Sequence, residues 1–227
     1  MKIIGILITG HIPAEIAPEF GNYGDLFADL LKDYDFQFQR YFVVDGHFPA
    51  SVTDADGWLI TGSRFGVYEE HAWIRQLEAF IRAAHDAKVP MVGICFGHQV
   101  MAKALGGHVE KFKGGWSAGA TDYEFGGSGE KHTLLAWHQD QVIHPPENAK
   151  VIASNDFCAN AALSYGDWGL SYQPHPEFSV PYYEKLAEIR KAVLPEAMFE
   201  AVHKVNQPLA TEWAAREIGE FLARDRS

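Results

Sequence analysis

A cysteine between two glycines, in the run GICFG at positions 93–97, constrains the fold of this chain more than any other feature. The apolar residues 90–94 predict a short buried strand, and residues 97–105 have the spacing of a helix with one apolar face. A Gly-x-Cys-x-Gly pattern between a strand and a helix is typical of a nucleophile elbow, where the strand turns sharply into the helix. The free N–H groups at the start of such a helix stabilise a thiolate. The pattern therefore predicts that Cys95 is a catalytic nucleophile.

The segment QPHPEF at positions 173–178 contains the partners that a cysteine nucleophile needs. A base must take the thiol proton, and a third group must orient that base. His175 and Glu177 lie two positions apart, and the flanking prolines favour an extended backbone that puts both side chains on one face. In the plainer interpretations Cys95 is a small buried apolar residue, and the histidine and glutamate belong to a solvated loop. The presence of both motifs in one chain favours the catalytic interpretation.

Together the two motifs resemble those of the class I, or triad-type, glutamine amidotransferases. The resemblance rests on GICFGHQ and QPHPEF, with His175 lying 80 residues after Cys95, and on GWLITGSR at positions 57–64, where the family has a glycine turn after a strand. It extends from Ile3 to about Leu222 and is strongest to the free-standing, GMP-synthase-like branch, some of whose members cleave γ-glutamyl peptides. The fold it implies is flavodoxin-like α/β, a three-layer sandwich around a mostly parallel central sheet. It also implies a single amidotransferase domain over residues 1–227.

The resemblance implies a role for each motif residue. Cys95 would attack the side-chain amide of glutamine or of another γ-glutamyl compound, giving a γ-glutamyl thioester and ammonia or an amine. His175 would act first as base and then as acid, and Glu177 would orient it. The backbone N–H groups of Ser63 and Phe96 would form the oxyanion hole.

Further residues are implied as substrate contacts: Gly62, Gln99, Trp116 and His138. Trp116 equally suits a plain turn with a buried ring, and His138 equally suits a residue that caps the end of a strand.

Three residues near the motifs have open roles. Ser63 and Arg64 stand where many family members carry Gly-Pro, but a backbone N–H donor survives the change to serine. Arg64 is either a solvated loop charge or a partner for a substrate carboxylate, since a guanidinium suits bidentate carboxylate recognition. His98, on the predicted elbow helix, is a rival base but is better explained as a packing residue.

The cysteine, histidine and charge content limits the classes of function. The chain has 19 Lys and Arg against 30 Asp and Glu, a net charge of −11, which argues against nucleic acid or anionic membrane as a partner. No Cys-x-x-Cys or His-Glu-x-x-His pattern accompanies the 11 histidines, so neither a metal nor another cofactor is expected. Two cysteines give no disulfide framework, and Cys158 is expected to be structural. The short apolar run 3–8 predicts a first strand rather than a signal peptide, so we expect a cytoplasmic protein.

Strands and helices alternate in the first 105 residues, which indicates βαβ units and a parallel sheet. Strands are expected at 3–8, 36–44, 58–61 and 90–94, and helices at 22–34, 71–87 and 97–105. Beyond them the pattern predicts strands at 109–112, 118–125, 133–137 and 151–153, and helices at 181–192, 196–205 and 209–223.

Three functions are compatible with these features. The first hypothesis is a hydrolase of γ-glutamyl amide bonds that acts on glutamine or a γ-glutamyl peptide. The second is a glutaminase subunit that supplies ammonia to a separate synthetase, because the chain shows no synthetase domain or nucleotide-binding fingerprint of its own. The third is a non-catalytic regulatory module on the same fold, which has no chemical need for Cys95, His175 and Glu177 together.

Overall fold

Eleven strands and seven α-helices form within residues 1–127 and 129–225, the part of the chain that this computed structural model describes. The strands are β1 (Lys2–Leu7), β2 (Phe36–Tyr41), β3 (Gly57–Ile60), β4 (Met91–Ile94), β5 (His108–Lys111), β6 (Ser117–Phe125), β7 (Glu130–His138), β8 (Asp140–His144), β9 (Lys150–Ser154), β10 (Ala162–Ser164) and β11 (Gly169–Tyr172). The helices are α1 (Ala17–Phe20), α2 (Tyr23–Leu30), α3 (Ala72–Asp86), α4 (Phe96–Ala104), α5 (Val180–Arg190), α6 (Glu196–Val202) and α7 (Thr211–Ala223). Within the described ranges, no helix has the length and apolar character needed to cross a bilayer.

Nine of the strands form one mixed sheet in the order β2-β1-β3-β4-β11-β10-β9-β6-β7, and β5 pairs with β8 separately. The first five strands of this order are parallel to one another, in the 2-1-3-4-5 arrangement of flavodoxin-like sheets. The predicted α/β class with its largely parallel sheet is confirmed, and the parallel half carries Cys95. The other half is antiparallel, because the short connections between its strands contain no helix of the kind that a parallel crossover needs.

Side chains that alternate along the parallel strands fill an apolar core on each face of the sheet. Ile4, Ile6 and Leu59 pack with α2 and α7 on one face. Leu7 and Trp58 pack with α3 and α4 on the other face. The result is a helix–sheet–helix sandwich, and a third core under α5 and α6 covers part of the antiparallel half.

The predicted helices agree with the structure wherever an apolar stripe defines them. In α3 the buried side chains recur at helical spacing, and the helix Ala72–Asp86 matches the predicted range 71–87. The helix predicted at 22–34 starts after Asn22, whose side chain caps it in a capping box, but already ends at Leu30. Three strands were not predicted, namely β8, β10 and β11. They are three to five residues long, too short for a reliable alternation pattern.

Two glycines let helix α4 approach strands β3 and β4 at the elbow. A Cβ atom on Gly93 would lie 2.5 Å from the backbone of Gly97, and one on Gly97 would lie 2.4 Å from the carbonyl oxygen of Ile60. Both distances are far below van der Waals contact with backbone atoms that have little freedom to move. The backbone conformation at Cys95 therefore requires glycine, which has no side chain, at positions 93 and 97.

Gly97→Ala should lower the free energy of unfolding by about 1–3 kcal/mol or more, because the added methyl group overpacks the joint between α4 and β3. Urea unfolding followed by circular dichroism measures the change. Gly10→Ala is the matched control, since a Cβ there meets its nearest atom at an ordinary 3.5 Å; it should change the stability by about 1 kcal/mol or less. Equal losses in the two variants would contradict the packing argument.

Candidate active site

Cys95 sits in a strained turn between β4 and α4. Its φ of 53° and ψ of −102° lie in a region that L-residues with a side chain rarely adopt. Backbone hydrogen bonds hold this conformation: the Cys95 N–H donates to the Tyr172 carbonyl at 2.8 Å, and the Cys95 carbonyl accepts from the Gln99 N–H at 3.0 Å. The sulfur is thereby placed at the carboxyl end of a central parallel strand, the edge where open α/β sheets form their sites.

The segment that contains His175 is extended, as predicted, because its backbone pairs with β7. The His175 N–H donates to the Leu135 carbonyl at 2.8 Å, and the two residues form an antiparallel bridge. Nδ1 of His175 and Oε1 of Glu177 are 2.7 Å apart, and the two side chains are only 4% and 0% exposed. Phe178 stacks on the imidazole with ring centroids 4.0 Å apart. The ring is therefore fixed at one nitrogen by a carboxylate and on one face by an aromatic ring.

The imidazole and the thiol meet at a small recess of about 60 Å³, which both residues line. Gly62 lies next to both residues: a Cβ on Gly62 would lie 3.0 Å from Cε1 of His175 and 3.7 Å from the Cβ of Cys95. Nε2 of His175 is buried and has no hydrogen-bond partner among the described residues. The Cys95 thiol donates weakly to the Trp137 carbonyl at 3.9 Å. Nε2 is thus left available to the sulfur, while Nδ1 is held by Glu177.

Three buried histidines around this site differ in charge. Burial lowers the pKa of His98 and of His138 to about 3, so both rings are neutral at physiological pH. Burial also acts to lower the pKa of His175, but the charges of Glu177 and of the Cys95 thiolate outweigh it and raise that pKa well above 6.5. The Glu177 carboxylate therefore selects His175 as the ring that carries a proton.

Two backbone N–H groups beside the sulfur donate to no described residue. One belongs to Phe96, the first residue of α4, and the other to Ser63, which lines the recess with Cys95. The Ser63 hydroxyl donates to the Thr9 carbonyl at 2.7 Å and accepts from the Phe65 N–H at 3.3 Å. The serine side chain thus anchors the loop after β3 to the end of β1, which explains how this loop keeps its shape where a serine replaces glycine.

A larger pocket of about 420 Å³ opens on the other side of Cys95, and Gln99, Trp116 and His138 all line it. The Gln99 amide nitrogen donates to the Asp140 carbonyl at 2.9 Å and to Oε1 of Gln173 at 3.0 Å, so its carbonyl oxygen is what remains for a ligand. Trp116 packs edge-on against the ring of Trp137. Gly62, the fourth expected substrate contact, lines the recess instead. The structure thus brings all of the expected site residues together around one sulfur.

Several pocket residues had no signal in the sequence. Arg190, at the end of α5, and Lys111, at the end of β5, line the pocket although neither belongs to a motif. Trp137 and Asp140 belong to the polar and aromatic stretch around His138, so that stretch was the available signal for them. Arg64 lines both cavities next to Cys95.

Two other residues line neither cavity. His98 is fully buried, its Nδ1 is 2.7 Å from the Ser171 hydroxyl, and it lines neither cavity. Cys158 is buried, and burial raises the pKa of its thiol to about 12, which keeps the thiol protonated. Residues 1–127 and 129–225 contain no group of three or more His, Cys, Asp or Glu side chains with the geometry to hold a metal ion.

Comparison with known proteins relates this chain to glutamine amidotransferases and similar hydrolases in sequence and in fold. The family model for class I glutamine amidotransferases matches residues 35–186. Gamma-glutamyl peptidase 2 of Arabidopsis thaliana is 28% identical over 82% of this chain and 75% of its own. One of the subunits of the glutamine-hydrolyzing GMP synthase of Archaeoglobus fulgidus is 31% identical over 76% of this chain and 95% of its own. The crystal structure of a glutamine amidotransferase from Thermotoga maritima has the same fold, with a TM-score of 0.74 at 19% identity over 97% of this chain and 96% of that one.

Glu177→Gln should lower the pKa of His175 towards or below 6.5, because the Glu177 charge is the largest influence that opposes the effect of burial. At neutral pH the ring should be protonated in the unchanged protein and neutral in the variant. Nitrogen-detected NMR titration of the imidazole signals measures this. His138 serves as the internal reference, since burial lowers its pKa to about 3 and should keep its ring neutral near neutral pH. A His175 signal that titrates at the same pH in both would contradict the assigned role of the carboxylate.

Proposed function

Because this chain belongs to the class I glutamine amidotransferase family, we propose that it hydrolyses γ-glutamyl amide bonds with a Cys95-His175-Glu177 triad. The substrate is glutamine or a γ-glutamyl peptide. The observation that carries the proposal is the arrangement at the recess: Glu177 holds Nδ1 of a buried His175, whose Nε2 has no hydrogen-bond partner among the described residues, and the elbow cysteine lines the same recess. Similarity to a protein named gamma-glutamyl peptidase supports the choice of bond.

The reaction would proceed in two steps through a thioester. In the resting pair Nε2 of His175 already holds the proton of Cys95, and the thiolate sulfur attacks the γ-carbonyl carbon of the substrate. The oxyanion accepts hydrogen bonds from the Ser63 and Phe96 N–H groups, each of which is worth on the order of 3 kcal/mol of barrier. His175 returns its proton to the leaving nitrogen, which departs as ammonia or an amine. Water, deprotonated by His175, then cleaves the thioester and releases a γ-carboxylate.

Electrostatics around His175 support these roles. The raised pKa of the ring, caused by Glu177 and the Cys95 thiolate against the effect of burial, favours the imidazolium that must protonate a poor leaving group. His138 is less suited to that step, because burial lowers its pKa to about 3. Gln99, His138 and Trp116 would then contact the glutamyl part in the larger pocket, while Gly62 lets the substrate approach both His175 and Cys95.

A second candidate function is the supply of ammonia to a separate synthetase. The observation that favours it is the similarity to one of the subunits of a GMP synthase, nearly all of whose length is matched. In that case the protein would release little glutamate alone and much more with its synthetase present. A regulatory module without catalysis has no comparable support.

A single domain across residues 1–227 and a cytoplasmic location remain part of the proposal.

Glutamate release from glutamine and from a γ-glutamyl dipeptide tests the proposed function. Cys95→Ser should lower kcat about 10⁴-fold or more, His175→Asn by a similar factor, and Glu177→Gln by less, because removal of the orienting group costs less than removal of the nucleophile. Mass spectrometry of Glu177→Gln mixed with substrate should detect a glutamyl adduct on Cys95.

Cys158→Ala is the matched control, because the Cys158 thiol is buried and lies outside both cavities. It should keep most of the activity and still be labelled at Cys95 by an electrophilic glutamine analogue. A folded protein that releases glutamate from neither substrate, with or without a synthetase, would refute the proposed function.

A further inference from the structure

The two cavities at Cys95 meet along a short boundary that contains two arginines. The residues that line both the larger pocket and the recess are Ser63, Arg64, Cys95, Trp137 and Arg190. In the proposed reaction Ser63 and Cys95 hold the carbonyl group under attack. Both guanidinium groups therefore flank the bond that is cleaved, rather than the far end of the glutamyl chain.

Neither arginine is neutralised within the described part of the chain. The salt bridges and hydrogen bonds of residues 1–127 and 129–225 include no carboxylate paired with Arg64 or Arg190. The Arg64 guanidinium lies over the Phe65 ring, 5.0 Å from its centroid, which orients the charge without cancelling it. Acidic residues outnumber basic ones 30 to 19 in this chain, so two unpaired guanidiniums beside a nucleophile are unexpected for a merely solvated surface.

The remaining charges of the larger pocket already match the γ-glutamyl half of a substrate. Glu69 is occupied, since it accepts from the Gly66 N–H at 2.6 Å and lies 3.1 Å from His71. Asp140 and Lys111 interact electrostatically, and this pair of opposite charges suits the ammonium and carboxylate groups of a glutamyl moiety. Arg64 and Arg190 are then a surplus of positive charge, which glutamine, with its single carboxylate, does not require.

We propose that Arg64 and Arg190 bind a carboxylate on the amine half of the substrate, so that the preferred substrates are γ-glutamyl amino acids rather than glutamine. This inference rests on the proposed function. His175 protonates the leaving nitrogen on the recess side, so the amine half must lie at the boundary that the two arginines flank. In an α-amino acid the carboxylate is one carbon away from that nitrogen, and a guanidinium binds it through two parallel hydrogen bonds. A pocket of about 420 Å³ falls in the size range of those that hold such ligands.

The test compares two substrates that differ only in the second carboxylate, γ-glutamyl-alanine and γ-glutamyl-alaninamide. The ratio of their kcat/KM values should be about tenfold or more in favour of the acid, since hydrogen bonds to a charged partner typically contribute this much. Arg190→Gln should bring the ratio close to one. Arg64→Gln should reduce it several-fold, because Arg64 is more exposed and solvent screens its charge. Arg190→Lys should give a ratio between those of the unchanged protein and Arg190→Gln, because lysine keeps the positive charge but cannot form two parallel hydrogen bonds to a carboxylate.

Arg75→Gln is the matched control, because this exposed arginine lies on α3 and lines neither cavity. It should give the same ratio of kcat/KM values for acid and amide as the unchanged protein. Equal kcat/KM values for acid and amide in the unchanged protein would overturn the inference. It would also be overturned if the arginine variants slowed both substrates equally, because the arginines would then bind the glutamyl carboxylate instead.

Failure of the proposed function gives a different result, namely no glutamate from any substrate. Calorimetric binding of the same two compounds to Cys95→Ser protein tests the inference independently of turnover. Tighter binding of γ-glutamyl-alanine by about tenfold, lost in the double variant with Arg190→Gln, supports it. Equal binding of the two compounds overturns it.

Discussion

The close approach of helix α4 to strands β3 and β4 is the constraint on which the site depends. The start of the helix fits against Ile60 only because Gly93 and Gly97 have no side chain. That fit forces the residue between them into a positive-φ conformation, which points its side chain out of the sheet edge. The chemistry that we propose is therefore a consequence of backbone packing, because the same turn that strains Cys95 also places it at the start of α4, where it lines both cavities.

A second determinant is the charge on one histidine among several. His98, His138 and His175 are all buried near the same sheet edge, and burial alone favours the neutral form of each. Glu177 reverses this for His175 mainly through its negative charge, which lies 2.7 Å from Nδ1, and the charge of the Cys95 thiolate adds to the effect. A buried imidazolium needs its carboxylate partner in place, since either charge alone in the interior carries a large desolvation cost. The stacked ring of Phe178 and the bridge to β7 keep the two groups together when the substrate is absent.

The loop after β3 contributes two residues, Ser63 and Arg64, to the surroundings of Cys95. Ser63 keeps the loop attached to β1 through its hydroxyl group, and its backbone N–H donates to no described residue. Arg64, the next residue, adds a positive charge that lines both cavities. Together with Arg190 it changes the electrostatic character of the boundary between the two cavities without altering the triad. In the proposed reaction, specificity would rest on Arg64 and Arg190 and catalysis on Cys95, His175 and Glu177.

By itself the sequence determined the features that rest on local spacing. Helix α3 follows from its apolar stripe, the elbow from glycines two residues either side of a cysteine, and the extended His175 segment from its prolines. It did not determine the short strands β8, β10 and β11, which carry no clear pattern, or the strand order of the antiparallel half of the sheet, or the positions of Arg190 and Lys111. These depend on which elements pack together across the chain, and no periodicity encodes a contact between α5 and the loop after β3. Only the tertiary structure decided that two unpaired arginines lie beside the reactive sulfur, because charge placement in space depends on the fold and not on distance along the chain.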